Sequence, residues 1–227
     1  MERILLLVCL FTIHVFCSNE QTVLSEPPEK PDLNQKYLFY FHGRFLENNS
    51  LDATHPQYGS VEYAEIKEAF RSKGFIVITE KRAKDTDVNE YANKIVVQIR
   101  ELISQGVKPN NITVVGGSKG SYIAQFVSTF LQNKNVNFSI LAGCDATEPN
   151  KPEIHLYGNI LSIYEVSDSL GQSCEYLKLT DGGINQFKEL KVNLGVKHKI
   201  VFRPYPEWVN PTIEWANQFA TIKINKK

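Results

Sequence analysis

Apolar residues recur along the chain in two alternating patterns. Largely apolar runs, typical of strands buried on both faces, occur at 37–41, 75–78, 112–115 and 138–142, and the more mixed segment at 159–166 is another predicted strand. Residues 188–194 alternate apolar and polar positions, as a further strand does. Between these runs, apolar positions three and four apart predict helices at 60–72, 87–106, 121–131 and 207–220. The alternation predicts an α/β protein with a mostly parallel central sheet and helices on both faces.

The beginning of the chain has a different character. The apolar run from Ile4 to Phe16 follows a basic residue and is shorter than the ~20 residues that span a bilayer. We therefore expect residues 1–17 to be a signal peptide cleaved after Cys17, and the protein to be secreted. An uncleaved anchor is the alternative. Residues 18–35 are polar and rich in proline, which predicts a flexible arm without secondary structure before a single domain at 36–227.

Charge excludes some classes of function. Lysine and arginine number 25, as do aspartate and glutamate, so the formal net charge is zero. No basic excess indicates a nucleic-acid partner, and no later apolar run is long enough for a membrane span.

One short motif carries a chemical prediction. Gly116-Gly117-Ser118-Lys119-Gly120 lies between a predicted strand and a predicted helix, which is the context of a G-x-S-x-G nucleophile elbow. The glycines at 116 and 120 allow a turn too tight for side chains, which exposes the Ser118 hydroxyl. The alternative is a glycine-rich turn that cradles a phosphate, but a P-loop needs a longer spacing that ends in Gly-Lys-Ser/Thr.

A serine nucleophile requires a base and an acid. His198 follows the last predicted strand, where it would face the serine, although a solvated histidine between two lysines is the simpler interpretation. Asp168 follows the strand at 159–166 and is the candidate acid. Asp145 is the alternative acid, and Asp181 has the setting of an ordinary turn residue.

A tetrahedral intermediate also requires hydrogen-bond donors for its oxyanion. We expect the backbone N–H of Lys119 to be one donor, because it follows the nucleophile directly. The second should be the backbone N–H of Arg44 or Phe45, in the loop after the strand at 37–41. His42 is expected to shape this loop rather than to transfer protons.

Taken together, the elbow at Ser118, the His42-Gly43 pair, Asp168 and His198 resemble the α/β-hydrolase fold in its order of nucleophile, acid and base. The resemblance covers about residues 36–222, and only the elbow is a specific motif. It implies acyl-transfer hydrolysis without fixing the substrate. Two features depart from the family: residues 19–35 are too few for the first two strands of the full fold, and His198 lacks a neighbouring glycine.

Secretion changes how cysteine and asparagine are interpreted. Cys144 and Cys174 remain after signal cleavage, and an even pair in an oxidising compartment predicts a disulfide, with two independent buried thiols as the alternative. Three sequons make Asn48, Asn111 and Asn137 candidate glycosylation sites.

The sequence thus predicts a secreted serine hydrolase without a large lid, acting on a small-molecule acyl substrate. No cluster with metal-ligand spacing occurs, so neither a metal nor an organic cofactor is implied. Two alternatives remain: a catalytically inactive binding protein of the same fold, and a peptidase or acyltransferase with the same triad. The oligomeric state and the identity of the substrate do not follow from the sequence.

Overall fold

The computed structural model describes residues 23–145, 153–179 and 182–220. Its helices and strands follow one another in this order: β1 (Val23–Leu24), β2 (Lys36–Phe41), α1 (Arg44–Asn48), β3 (Thr54–His55), β4 (Gly59–Ser60), α2 (Tyr63–Arg71), β5 (Phe75–Ile78), α3 (Val88–Ser104), β6 (Ile112–Gly117), α4 (Lys119–Leu131), β7 (Asn137–Leu141), β8 (Tyr157–Glu165), β9 (Gly183–Val192) and α5 (Pro206–Phe219).

A seven-stranded sheet forms the centre of the protein. Its strand order is β1-β5-β2-β6-β7-β8-β9, and every neighbouring pair runs parallel. The predicted α/β class with a mostly parallel sheet is therefore confirmed. Strands β3 and β4 lie outside this sheet as an antiparallel hairpin.

The pleat of the strands divides the core into two layers. Tyr37, Phe39 and Phe41 of β2 pack into one layer with the apolar faces of α3 and α4. Leu38 and Tyr40 of the same strand pack into the other, with α2 and α5. Because successive side chains of a strand point to opposite faces, the continuous apolar run predicted this burial on both sides.

Helix boundaries differ slightly from the prediction. Asp87 caps α3 as expected, since its Oδ1 accepts the backbone N–H groups of Asn89 and Glu90 at 2.8 and 2.9 Å. Helix α2 begins at Tyr63 rather than at residue 60, because Ser60 is paired with Thr54 in the hairpin.

The beginning of the described chain corrects one prediction. Val23 and Leu24 pair in parallel with Val77 and Ile78, and Leu24 accepts the backbone N–H of Thr79 at 2.8 Å. The prediction that residues 18–35 lack secondary structure is therefore wrong at these positions, where two residues are too short to show a strand pattern. The predicted signal peptide at 1–17 lies outside the described residues.

The parallel arrangement determines where chemistry can gather. Because all seven strands run the same way, their carboxyl ends share one edge of the sheet. The segments after β2, β6, β8 and β9 carry His42, Ser118, Asp168 and His198 in turn. No helix among the described residues has the length and hydropathy that crossing a membrane requires.

Candidate active site

Ser118 occupies a strained corner between β6 and α4. Its φ of 55° and ψ of −122° lie outside the regions that non-glycine residues favour, and its backbone N–H donates to Leu141 O at 3.0 Å. Neighbouring glycines make the corner possible. A Cβ on Gly116 would lie 2.1 Å from Gly120 O, and one on Gly120 would lie 2.0 Å from Phe41 O. These distances agree with the prediction that the turn is too tight for side chains at positions 116 and 120.

Three of the predicted side chains meet at this corner. His198 Nε2 lies 2.9 Å from Ser118 Oγ, and His198 Nδ1 lies 2.7 Å from Asp168 Oδ2. Because an ionised carboxylate only accepts hydrogen bonds, this pairing assigns the proton of a neutral imidazole to Nδ1 and leaves Nε2 to accept from the serine hydroxyl. Asp168 and His198 are both buried.

Asp145, the alternative acid, has a different environment. Burial of the phenol, together with the charges of Tyr122 and Asp145, raises the pKa of Tyr176 to about 12. Asp145 therefore lies near Tyr176, whereas Asp168 is the carboxylate hydrogen-bonded to His198. Asp181 lies outside the described residues.

The loop after β2 approaches Ser118 closely. A Cβ on Gly43 would lie 3.4 Å from Ser118 Cβ and 3.9 Å from Ser118 Oγ. Arg44 begins α1 and Lys119 begins α4, and the first backbone N–H groups of a helix have no partner within it. The predicted oxyanion donors at Lys119, Arg44 and Phe45 therefore belong to two helix beginnings that flank the serine.

Hydrogen bonds of the His42 ring fix the conformation of this loop. Its Nδ1 lies 2.8 Å from Gly43 O, and its Nε2 accepts the backbone N–H of Arg82 at 2.9 Å. Burial of the ring and, second, the charge of Arg82 lower the pKa of His42 to about 3. The hydrogen bond to Gly43 O raises this pKa, but by less than the other two effects lower it. The ring is therefore neutral at physiological pH, which fits a structural part in the loop.

Comparisons with known proteins relate this arrangement to a fold. No family model and no curated protein matches the chain. Solved structures do match. SOBER1 of Arabidopsis thaliana has a TM-score of 0.55 and 13% identity over 81% of this chain and 98% of that one. XC6422 of Xanthomonas campestris, described as a serine hydrolase without a lid, has a TM-score of 0.56 and 12% identity over 87% and 88%.

A further match is a structure from an analysis of two fungal esterases of Rhizomucor miehei, with a TM-score of 0.53 and 12% identity over 86% of this chain and 78% of that one. The chain has the α/β-hydrolase fold. In this fold the segment after β2, the elbow and the two loops after β8 and β9 lie together at the carboxyl edge of the sheet, as the resemblance implied.

A buried ion network, which the sequence did not predict, supports the α/β-hydrolase elbow. The carboxylate of Glu47 is fully buried between two cations, Arg82 Nε at 2.8 Å and Lys119 Nζ at 2.6 Å. Arg82 also donates to His42 O, and Lys119 to Thr86 O. The network therefore ties α1 to the residue after the serine. A buried carboxylate that is hydrogen-bonded on both oxygens holds its neighbours at fixed distances.

A second buried carboxylate, also missed, links the loops of the acid and the base. Glu165 Oε2 accepts from the Ser167 backbone and hydroxyl, and its Oε1 accepts the N–H groups of Leu194 and Gly195, each at 3.0 Å. Lys197 N in turn donates to Ser167 Oγ at 3.1 Å. Burial would raise the pKa of Glu165, but the donors from Ser167, Gly195 and Leu194 outweigh it and lower the pKa.

The predicted disulfide is present. Cys144 and Cys174 are bonded, with 5.3 Å between their Cα atoms. Gln172 N donates to Cys144 O at 2.7 Å, so the loop that carries Asp168 is joined to the segment after β7 by a covalent bond and a backbone hydrogen bond. Glu189 of β9 accepts the backbone N–H of Cys174 at 2.8 Å and holds the same loop from the other side.

Burial corrects two of the three predicted glycosylation sites. Asn111 and Asn137 are 1% and 0% exposed, and Asn137 hydrogen-bonds Asn110 O and Asn159 Nδ2. A glycan on either side chain has no space in this structure. Asn48 is exposed at the end of α1, so that candidate stays a prediction.

Two cavities meet at Ser118. The first, which we call the helix-side cavity, has a volume of about 480 Å³ and is lined by Arg44, Val88, Ser118, Lys119, Tyr122 and Phe126. The second, which we call the aromatic cavity, has about 290 Å³ and includes His198, Phe45, His55, Tyr58 and Phe202 in its wall. Within the described ranges, no three His, Cys, Asp or Glu side chains come together as a metal site.

The glycine contacts predict the effect of adding one methyl group at the elbow. We expect Gly120→Ala to lower the free energy of unfolding by at least about 2 kcal/mol, because its Cβ would overlap the backbone of Phe41. Gly43→Ala, whose Cβ would be at ordinary contact distance, should change it by less than about 1 kcal/mol. Urea unfolding of the two variants measures this difference, and equal stabilities would contradict the contacts.

The environment of Glu165 predicts a pH dependence. Because folding lowers the pKa of Glu165, its carboxylate stabilises the fold above the unfolded value of about 4.3, and this contribution is lost as the pH falls through the folded pKa. We expect Glu165→Gln to lower the free energy of unfolding by about 1–2 kcal/mol at pH 7. This difference between the wild type and the variant should become smaller as the pH falls towards ~3.

Urea unfolding between pH 7 and pH ~3 measures this gap. Glu214→Gln, on the exposed face of α5, is the matched control and should follow the wild type throughout. A gap that stays constant as the pH falls would show that Glu165 does not act through its charge.

Proposed function

We propose that this protein is a secreted serine hydrolase that cleaves an ester-like acyl bond through a covalent acyl-enzyme. The observation that carries the proposal is the unbroken hydrogen-bond chain from Asp168 through His198 to Ser118 on a strained corner of the backbone. The matches to serine hydrolase and esterase structures support it at the level of the fold.

The geometry is suited to acylation in the following way. Ser118 Oγ attacks the carbonyl carbon while its proton passes to His198 Nε2, so the C–O bond forms as the imidazole becomes positively charged. Asp168 stabilises the imidazolium through Nδ1–H. The carbonyl oxygen gains negative charge, and the backbone N–H of Lys119 with that of Arg44 or Phe45 would bind it. His198 then donates the same proton to the leaving group as the carbonyl re-forms.

Deacylation repeats these steps with water. A water molecule gives one proton to His198 Nε2 and attacks the acyl carbon, and the proton returns to Ser118 Oγ as the acid product leaves. All protons and electron pairs are therefore accounted for by the three side chains, the substrate and water.

Secretion is part of the proposal and is supported by two features. Residues 1–17 have the charge and apolar pattern of a signal peptide. The Cys144–Cys174 disulfide is the kind of bond that persists in an oxidising compartment.

Labelling with a fluorophosphonate tests the function, because such probes phosphonylate an activated serine. We expect wild-type protein to be labelled once, on Ser118, and Ser118→Ala to be unlabelled. Asp168→Asn should slow labelling by a factor of about 10³ to 10⁴, since the carboxylate that fixes the tautomer of His198 is lost. Ser104→Ala, an exposed serine at the end of α3, is the control and should label like the wild type.

Mass spectrometry of the intact protein and its peptides gives the stoichiometry and the site. An unlabelled wild type that is folded by circular dichroism would contradict the hydrolase and favour the inactive binding protein.

A further inference from the structure

The two cavities at Ser118 have different access to the base. His198 belongs to the wall of the aromatic cavity, whereas the helix-side cavity is lined from Arg44, α3 and α4. In acylation the leaving-group oxygen must receive a proton from His198 Nε2. Access to the base therefore favours the aromatic cavity for the leaving group and the helix-side cavity for the acyl group.

Aromatic rings form one part of the wall of the aromatic cavity, beside aliphatic side chains such as Leu46 and Val61. The ring of Tyr58, on the β3–β4 hairpin, stacks on His55 with centroids 4.6 Å apart and lies 5.4 Å from Phe202 and 6.0 Å from His198. Phe45 lies 5.7 Å from Phe202 and 5.2 Å from His55, so these rings form one cluster. Aromatic walls in edge and tilted arrangements favour another ring over a saturated group of equal size.

The size and charge of the cavity restrict the ring further. A cavity of about 150 Å³ already holds benzene, so about 290 Å³ admits one ring with its linking carbon. An aromatic cage also attracts quaternary ammonium groups. Here, however, Arg44 lines the same cavity, and no acidic side chain does so among the described residues. A neutral ring is therefore favoured over a cation.

We propose that the aromatic cavity is a leaving-group subsite that takes a neutral arylmethyl alcohol, with Tyr58 as its specificity-determining residue. The proposal rests on the proposed hydrolase function. In the step that uses the subsite, the bond from the acyl carbon to the benzylic oxygen breaks, its electron pair stays on that oxygen, and the proton from His198 Nε2 neutralises it. The alcohol then leaves through the cavity while the acyl group remains on Ser118.

Protection of Ser118 against labelling tests the subsite without any assumption about the acyl group. The rate of labelling by diisopropyl fluorophosphate is measured with benzyl alcohol or cyclohexylmethanol, which share the CH₂OH group and differ in the ring. We expect benzyl alcohol to protect at a concentration about 3- to 10-fold lower than cyclohexylmethanol.

Variants assign the preference to the wall of the cavity. Tyr58→Leu should bring the two protecting concentrations together, whereas Tyr164→Leu, a half-buried tyrosine on β8 that lines neither cavity, should keep the preference. Equal protection by the two alcohols, no protection, or a preference that survives Tyr58→Leu would overturn the subsite.

Choline is tested as a third protecting compound. Stronger protection by choline than by either alcohol would indicate a cation site and overturn the proposal. The failure of the function looks different from the failure of the subsite: without the function, Ser118 is not labelled even when no alcohol is present.

Discussion

The close approach of Gly120 to the end of β2 is the constraint on which the site depends. Because Gly120 has no Cβ, the carbonyl of Phe41 can occupy the space that a Cβ would need. Helix α4 therefore starts directly beside β2. This leaves Ser118 with a positive φ and its hydroxyl directed at His198. Strain of about 1–3 kcal/mol at such a residue persists only where surrounding structure fixes it. Here the surrounding structure is the parallel sheet and the contact between two backbones.

Two buried carboxylates hold the loops of the site around that corner. Glu47 joins the loop after β2 to Lys119, and Glu165 joins the loop of Asp168 to the loop of His198. Each uses both of its oxygens, so each satisfies donors that would otherwise be buried without partners. The disulfide at Cys174 adds a covalent link to the acid loop. Neither glutamate hydrogen-bonds Ser118 Oγ, but Glu165 holds the loop of His198, which does, and Glu47 holds Lys119, the next residue along the chain.

The sequence predicted those features whose cause is local. The buried strands, the cap at Asp87 and the glycines of the elbow each follow from a few adjacent residues. The order of Ser118, Asp168 and His198 was an expectation from the resemblance to the α/β-hydrolase fold. The two glutamates were missed because their partners are distant in sequence: Arg82 lies 35 residues from Glu47, and Gly195 lies 30 from Glu165. The sequons at Asn111 and Asn137 failed for a related reason, because a local motif says nothing about burial. Val23 and Leu24 joined the sheet through backbone hydrogen bonds that no side-chain pattern reports.

A crystal structure of the covalent adduct with diisopropyl fluorophosphate tests most directly whether this corner is built to attack a carbonyl. The account predicts continuous density from Ser118 Oγ to phosphorus. It also predicts that the phosphoryl oxygen lies about 2.7–3.1 Å from the backbone nitrogen of Lys119 and from that of Arg44 or Phe45. An adduct on a different residue, or a phosphoryl oxygen directed away from both helix beginnings, would contradict it.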